Sequence, residues 1–414
     1  MEECQDFEMI IKFLLISQYL LIPMDETQTD HLKAYGVVYR SLQKGINFDW
    51  LLNYRGGSFM AEYSKEVEDE CLQNSVYYEI ISSTKASNIY SFIEENNMNA
   101  LRLEVAPKLA VYAPPYTEPW DDAVELVLKY ANVPYERIWD NDILEGKLEK
   151  YDWLHLHHED FAGMYGKFEV PYGNAPWYKT MKEKDNEVAK KYGFKNGPLM
   201  KQKVAIKIKE YVENGGFLFS MCSGPITLDV ALASIGFDIW DVPYDGDGYD
   251  PLANEKLIFS NTLAFKDFKI YMSYLNEEVS DIDVTQEADK RGPDVCFKLF
   301  EFSAKYDPVP TLLTQNHVNC IKEFLGRDTG FRKNKLKSNV VVLAEVEGTD
   351  EAKYIYSNFG KGFFTYYGGH DPEDFKHFVG DPPTDLSKHK NSPGYRLILN
   401  NILFPAAQPQ KLKT

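Results

Sequence analysis

The 414-residue chain has little cysteine, little histidine and no concentrated positive charge. Its five cysteines, Cys4, Cys71, Cys222, Cys296 and Cys320, include no C-x-x-C pair. An odd number leaves at least one unpaired within the chain, and the spacing disfavours both a disulfide framework and a cysteine-rich zinc module. A reducing compartment is compatible with that scarcity. The net charge of -18 has no basic patch to offset it. Nucleic acid and anionic membrane surfaces are therefore disfavoured as partners, because long-range repulsion opposes encounter. Neither a G-x-G-x-x-G nor a Walker G-K-[ST] arrangement occurs, so no nucleotide cofactor is indicated. No uninterrupted apolar run is long enough for stable membrane insertion. The nearest, MIIKFLLISQYLLIP at 9–23, contains Lys12 and Gln18 and follows Glu2, Glu3, Asp6 and Glu8. It reads either as a leader with an ill-chosen start codon or as the approach to a first buried strand. The compartment stays open between cytoplasm and a bacterial periplasm or exterior.

What the chain does have is apolar and aromatic residues, 44% and 14% of the total, enough for a sizeable core without staples. YLLIPMD, HLKAYGVVYRSLQKG and INFDWLLNY form a strand–helix–strand unit, whose order favours a parallel sheet. A second cycle starts at KLAVYAPPY (108–116), with a helix from about Trp120 to Ala131 and a strand from Val133. YDWLHLHHED, FLFSM and KYIYSNFGKGFFTYYGGHD supply further strands, and SPGYRLILNNILFP a closing helix. Segment 164–200 reads as an irregular excursion and 258–335 as a β-rich insertion. DVPYDGDGYDP (241–251) is dense in carboxylates but lacks the calcium-loop register, so it reads as a solvated turn.

Three stretches carry chemistry. NGGFLFSMCSGP (214–225) delivers Cys222 from a buried strand into a turn before a helix. There the backbone N–H groups around Ser223 and Gly224 and the helix end favour a thiolate and an oxyanion. The same window suits a small cysteine packed at a strand end. A nucleophile needs a base, and His370 follows a strand and two glycines at the sheet edge where the Cys222 turn should lie. Asp371 and Glu373 are close enough in sequence to orient it. HLHHED (155–160) also ends a strand. His155 and His157 share one face and His158 the other. With Glu159 and Asp160 this cluster suits substrate hydrogen bonding, structural use or a transition metal, but it matches no strong metal signature and no metal is assigned. YAPPYTEPWDD, with Tyr116, forms another wall of the same crevice.

Taken in order, KLAVYAPPYTEPWDDAVELVLKYA, ILEGKLEKYDWLHL, GGFLFSMCSG, FGKGFFTYYGGHDPE and SPGYRLILNNILFPAA resemble the class I glutamine amidotransferase-like superfamily. The likeness spans roughly 105–407 and is nearest the trehalose-utilisation (ThuA-like) and biotin-protein-ligase N-terminal-like branches. It implies a mostly parallel, doubly wound, flavodoxin-like α/β sheet with a nucleophile-elbow-like turn. Around that core stand an N-terminal α/β portion over 19–104, a leader or disordered start at 1–18, and the two insertions. It further implies Cys222 as nucleophile, His370 as base and Glu373 as orienting acid. The motif here is His370-Asp371-Pro372-Glu373 where the family has His-x-Glu. The turn is Ser220-Met221-Cys222-Ser223-Gly224 rather than G-x-C-x-G, and HLHHED occupies the expected oxyanion glycines. The whole chain, including LIPMDETQTDHLKAYG and DWLLNYRGGSF, also resembles a bacterial group labelled asparagine synthetase B-like. That label implies glutamine-dependent amidation. No cysteine follows Met1 and no nucleotide signature is present, so the activity is not carried over.

Three functions follow as expectations. The first is a small-molecule hydrolase or acyl-transfer enzyme using Cys222 on a polar amide or ester, without a cofactor. The second is a ThuA-like carbohydrate-related enzyme or binding module, and the third a non-catalytic relative. The partner is a small polar molecule or sugar, and a homo-oligomer is compatible with all three.

Overall fold

Period-two alternation of apolar residues divides the strands between separate cores in the computed structural model, which describes residues 18–407. Five strands build a small sheet: β1 Gln18–Ile22, β2 Phe48–Leu52, β3 Ser58–Glu62, β4 Glu79–Ser82 and β5 Asn99–Leu103. Their order is β4-β1-β3-β2-β5, and every neighbouring pair is antiparallel. The expected strand–helix–strand unit does join β1 and β2 in the same direction through helix α1, His31–Gln43. However, β3 slots between them, so the sheet is not parallel. Asp30 starts α1 by accepting a hydrogen bond from the Lys33 N–H. Helices α2 (Lys65–Asn74) and α3 (Ser83–Glu95) complete this part.

The large sheet comprises β6 Leu109–Tyr112, β7 Glu136–Ile138, β8 Trp153–Leu156, β9 Phe217–Met221, β10 Cys296–Leu299, β11 Cys320–Lys322, β12 Phe331–Arg332, β13 Val341–Val346, β14 Glu351–Phe359 and β15 Gly362–Tyr367. Its order is β11-β10-β13-β14-β15-β9-β8-β6-β7, with β12 on β14. Only β7, β6, β8, β9 and β15 run parallel. The rest pair antiparallel, so the sheet is mixed rather than mostly parallel. The cause is local. Short turns join β13 to β14 and β14 to β15, and a short turn can only reverse the chain.

Helices α4 (Ala123–Tyr130), α5 (Pro176–Lys191), α6 (Gly197–Glu213), α7 (Gly224–Ala233) and α8 (Pro393–Leu403) cover this sheet. Leu109, Val111, Phe217 and Phe219 share one core with α1, α4 and α8, whereas Ala110, Tyr112, Leu154 and Leu218 share the other with α6 and α7. Fully buried Arg396 on α8 ties the two sheets together. Its guanidinium donates to the carbonyls of Met24 and Gly56 and to the Tyr35 hydroxyl.

Three expectations need correction. Segment 164–200 is not irregular. It holds α5, with proline in the first turn as helix starts favour, and the beginning of α6. The 258–335 insertion is not β-rich. Besides β10, β11 and β12 it carries two short helices, Thr285–Arg291 and Pro308–Leu313, and long connections. Finally, Cys296 and Cys320 form a disulfide across β10 and β11. Such bonds persist in oxidising compartments, whereas cysteine scarcity is compatible with a reducing one. The leader expectation falls on residues 1–17, outside those described; residues 18–22 are β1. No described helix is long and apolar enough to cross a membrane.

Candidate active site at the carboxyl edge of the parallel strands

Strand β9 ends at Met221 and α7 begins at Gly224, leaving Cys222 in the turn between them. Its φ is +50°, a left-handed conformation that side chains other than glycine seldom adopt and that marks strained functional turns. The turn is held from both sides. The Cys222 N–H donates to the Gly369 carbonyl at 3.1 Å, and the Gly224 N–H to the His157 carbonyl at 2.8 Å. A Cβ on Gly224 would lie 2.4 Å from Ser220 Oγ and 3.0 Å from the His157 carbonyl oxygen, so a larger residue would have to displace Ser220 and press on that carbonyl. The Gly224 amide is thus already engaged and is no free oxyanion donor. Ser223 Oγ donates to the His158 carbonyl at 2.7 Å.

The strand ends then bring the histidines together. His157 Nε2 and His370 Nδ1 are 3.1 Å apart. Cys222 Sγ and one ring nitrogen from each of these histidines all lie within 4.8 Å of one another. His157 Nδ1 is 3.0 Å from Asp122 Oδ1, and His155 Nε2 is 3.4 Å from Asp122 Oδ2. His155 Nδ1 faces the Phe219 carbonyl. Just past the end of β8, His158 points elsewhere, its Nε2 2.9 Å from Glu118 and 3.5 Å from Glu159. On the far side His377 stacks on His370 at 4.8 Å and bridges Asp121 and Asp374, each at 3.0 Å.

Electrostatics sort these groups. Burial drives the Cys222 thiol up to about 12, against the opposing pull of the Arg327 N–H, which lies 3.4 Å from the sulfur. The helix end therefore does not yield the resting thiolate expected from the sequence. Burial also holds His370 well below the usual imidazole range, reinforced by neighbouring His157, His158 and His377. His157 is lowered by burial despite Asp122. Burial alone would raise Asp122, but His157 and His155 outweigh it and keep the carboxylate ionised. Asp121 outweighs burial at His377, which rises to about 9. At His158, Glu159 and Glu118 overcome burial and raise the ring to about 10.

Cys71, the other free thiol among the described residues, is likewise raised by burial to about 12. A thiol with a raised folded pKa contributes its full stability below the ordinary value of about 8.5 and loses it as pH climbs toward 12. Each buried thiol is therefore expected to cost about 2 kcal/mol of stability between pH 7 and 10. Urea unfolding measured against pH checks this. Cys71→Ala should flatten the alkaline fall, and an unchanged slope would contradict the assignment.

Of the residues singled out from sequence, Cys222, His157 and His370 meet at one centre, and Asp122 links His155 to it. His158, Glu159, Asp160 and Tyr116 instead line a cavity of about 30 Å³ on the other side of His158, with none of Cys222, His157 and His370 in its walls. Glu373 does not orient His370. It pairs with His389 at 2.9 Å, because the turn after His370 carries it away. Asp371 is buried behind that turn, where it accepts the Glu373 N–H, and it does not line the cavity. Asp122, Asp121, His377 and Arg327 escaped assignment, although Asp121 and Asp122 close the YAPPYTEPWDD stretch that sequence placed on the crevice wall. A larger hollow of about 630 Å³ lies at the opposite sheet edge, by Asp152 and Gly216, away from these groups.

No family model and no curated protein matches the chain. Among solved structures it is similar to a cytoplasmic protein of Salmonella typhimurium, with 12% identity over 73% of this chain and 100% of that one, and a TM-score of 0.34. A second cytoplasmic protein, from Salmonella typhimurium LT2, shows 13% identity over 72% and 99%, with a TM-score of 0.35. A β-galactosidase from Bacillus circulans sp. alkalophilus shows 13% identity over 70% of this chain and 32% of its own, with a TM-score of 0.27. At these scores the likenesses assign neither fold nor function.

Proposed function

We propose that the protein is a hydrolase or acyl-transfer enzyme that uses Cys222 as nucleophile on a small polar amide or ester. The observation that carries this is the chain from His370 through His157 to Asp122, built beside a cysteine in a left-handed turn. In this reading the neighbouring acceptors set the tautomers. His157 holds its hydrogen on Nδ1 toward Asp122, and His370 holds its own on Nδ1 toward His157 Nε2. That leaves His370 Nε2, buried and without a protein partner, as the proton acceptor. Because the resting thiol is protonated, the mechanism is general-base catalysis at the moment of attack rather than a preformed thiolate. Sulfur bonds to the carbonyl carbon while its proton passes to His370. The proton then leaves with the amine or alcohol, and water resolves the thioester by the same route. Asp122 stabilises the positive charge that builds on the paired imidazoles. With the class I amidotransferase-like resemblance, this reading takes the five parallel strands as a doubly wound, flavodoxin-like core.

The same atoms support a second reading. One thiolate and two imidazoles form a soft ligand set that suits zinc with an open position. The first reading predicts that a panel of small amides and esters leaves an acyl mass on the Cys222 peptide. Acylation should be abolished in Cys222→Ala and slowed about 10²-fold or more in His370→Ala. No acylation, or acylation unchanged without Cys222, overturns it. One equivalent of co-purifying zinc, lost in a folded Cys222→Ala protein, establishes the second reading instead.

A further inference from the structure

The cavity lined by His158 has a chemistry that the proposed reaction does not use. Its walls include Tyr116, Trp120 and Trp139, with carboxylates from Glu118, Glu159 and Asp185. His158 sits between Glu118 and Glu159. Lys201 is committed to Asp140 at 2.8 Å and Asp185 at 3.5 Å. Glu159 has a second oxygen, Oε2, that is buried without any partner, on a side chain 6% exposed. Burial pushes Glu159 up to about 8, and this oxygen lacks a hydrogen-bond donor once the group ionises, the form that a bound cation favours. Trp139 already accepts one ammonium, since Lys201 Nζ lies 4.0 Å from its ring centre. Aromatic faces combined with carboxylates are how proteins hold organic ammonium groups. A volume of about 30 Å³ admits a head group of that size, since roughly half as much holds one water.

We propose that this cavity receives the ammonium head of the substrate, which is therefore a cationic amide or ester without a carboxylate beside its amine. The inference rests on the Cys222 reading above. His158 links the cavity to that centre: it lines the cavity, its ring centre is 6.1 Å from that of His370, and its carbonyl accepts from Ser223 Oγ beside Cys222. A substrate carboxylate finds no receptor here. Lys201 is paired, and the Arg327 guanidinium donates to the carbonyls of Gly166 and Glu277 at 2.5 and 2.6 Å.

Three methanethiosulfonates test this: 2-aminoethyl (cationic), methyl (neutral) and 2-sulfonatoethyl (anionic). Each transfers its thioalkyl group to the cysteine sulfur and releases methanesulfinate. Rates at Cys222 are read by peptide mass spectrometry, normalised to a free thiol, with Cys222→Ala as blank. Salt at about 0.5 M screens the general field of the acidic chain. The cationic reagent should react at least about tenfold faster than the neutral one and about a hundredfold faster than the anionic one. Glu159→Gln, and separately Glu118→Gln at the rim, should each cut that preference several-fold, with near-ultraviolet circular dichroism confirming the fold. Equal normalised rates overturn the ammonium site while leaving the nucleophile standing. A preference retained in both variants overturns it too. No reaction at Cys222 with any reagent overturns the nucleophile and the ammonium site together.

Discussion

Asp122→Asn should lower kcat by about 10³–10⁴-fold while leaving the protein folded. The carboxylate has two roles, and asparagine separates them. Asp122 caps α4, its Oδ1 accepting the Val124 N–H at 2.7 Å and the Glu125 N–H at 3.0 Å. Asparagine caps as well as aspartate does, so the melting temperature should barely move. Facing His157 and His155, however, a neutral amide cannot balance an imidazolium, and its NH₂ opposes the tautomer that points Nδ1–H toward residue 122. Asp122→Ala would add the loss of the cap, about 1 kcal/mol. Turnover of an ester that acylates Cys222, measured beside a thermal melt, checks both parts. A variant within tenfold of wild type would remove Asp122 from the relay.

Lys353→Met should destabilise the fold by about 3–5 kcal/mol. Lys353 on β14 and Glu323 form an ion pair in which both side chains are 1% exposed. Lysine Nζ also donates to the Phe324 carbonyl at 2.6 Å and lies 4.1 Å from the Phe324 ring centre. Removing the lysine strands a buried carboxylate, and the second-nearest cation, Arg291, is 3.9 Å away and partly exposed. Removing both charges is different, because desolvation of a buried pair consumes most of its attraction. The double variant Lys353→Met, Glu323→Leu should therefore recover most of the loss. Urea unfolding of both single variants and the double completes the cycle. The pair also anchors the segment that carries Arg327 to the thiol, so the single variant should disturb the site before it unfolds the protein.

The way each residue reached or missed the site has a common explanation. Cys222, His157 and His370 were placed from local signals: an apolar strand, glycines or a polar cluster at its end, and a parallel order that collects such ends at one edge. Period two separated His158 from His155 and His157, and in the structure it turns to Glu118 while they turn to Asp122. Proximity along the chain favoured Glu373, three residues from His370, as the orienting acid. The turn there directs Glu373 to His389, while Asp122 arrives from a different strand end. In the small sheet the direction of β1 and β2 was legible, but the insertion of β3 between them was not, since pairing partners are chosen by long-range packing.

Strand ends, alternation and the glycines around the Cys222 turn were therefore determined by the sequence itself, because each follows from a repeat or a backbone preference within a few residues. The tertiary structure alone decided that Asp122 faces His157 and His155, that Cys296 meets Cys320, and that burial pushes the Cys222 thiol upward. Those depend on which distant groups meet and how completely they shut out water. Desolvation, which outweighs the helix end at the thiol, is a property of the packed surroundings rather than of any stretch of chain.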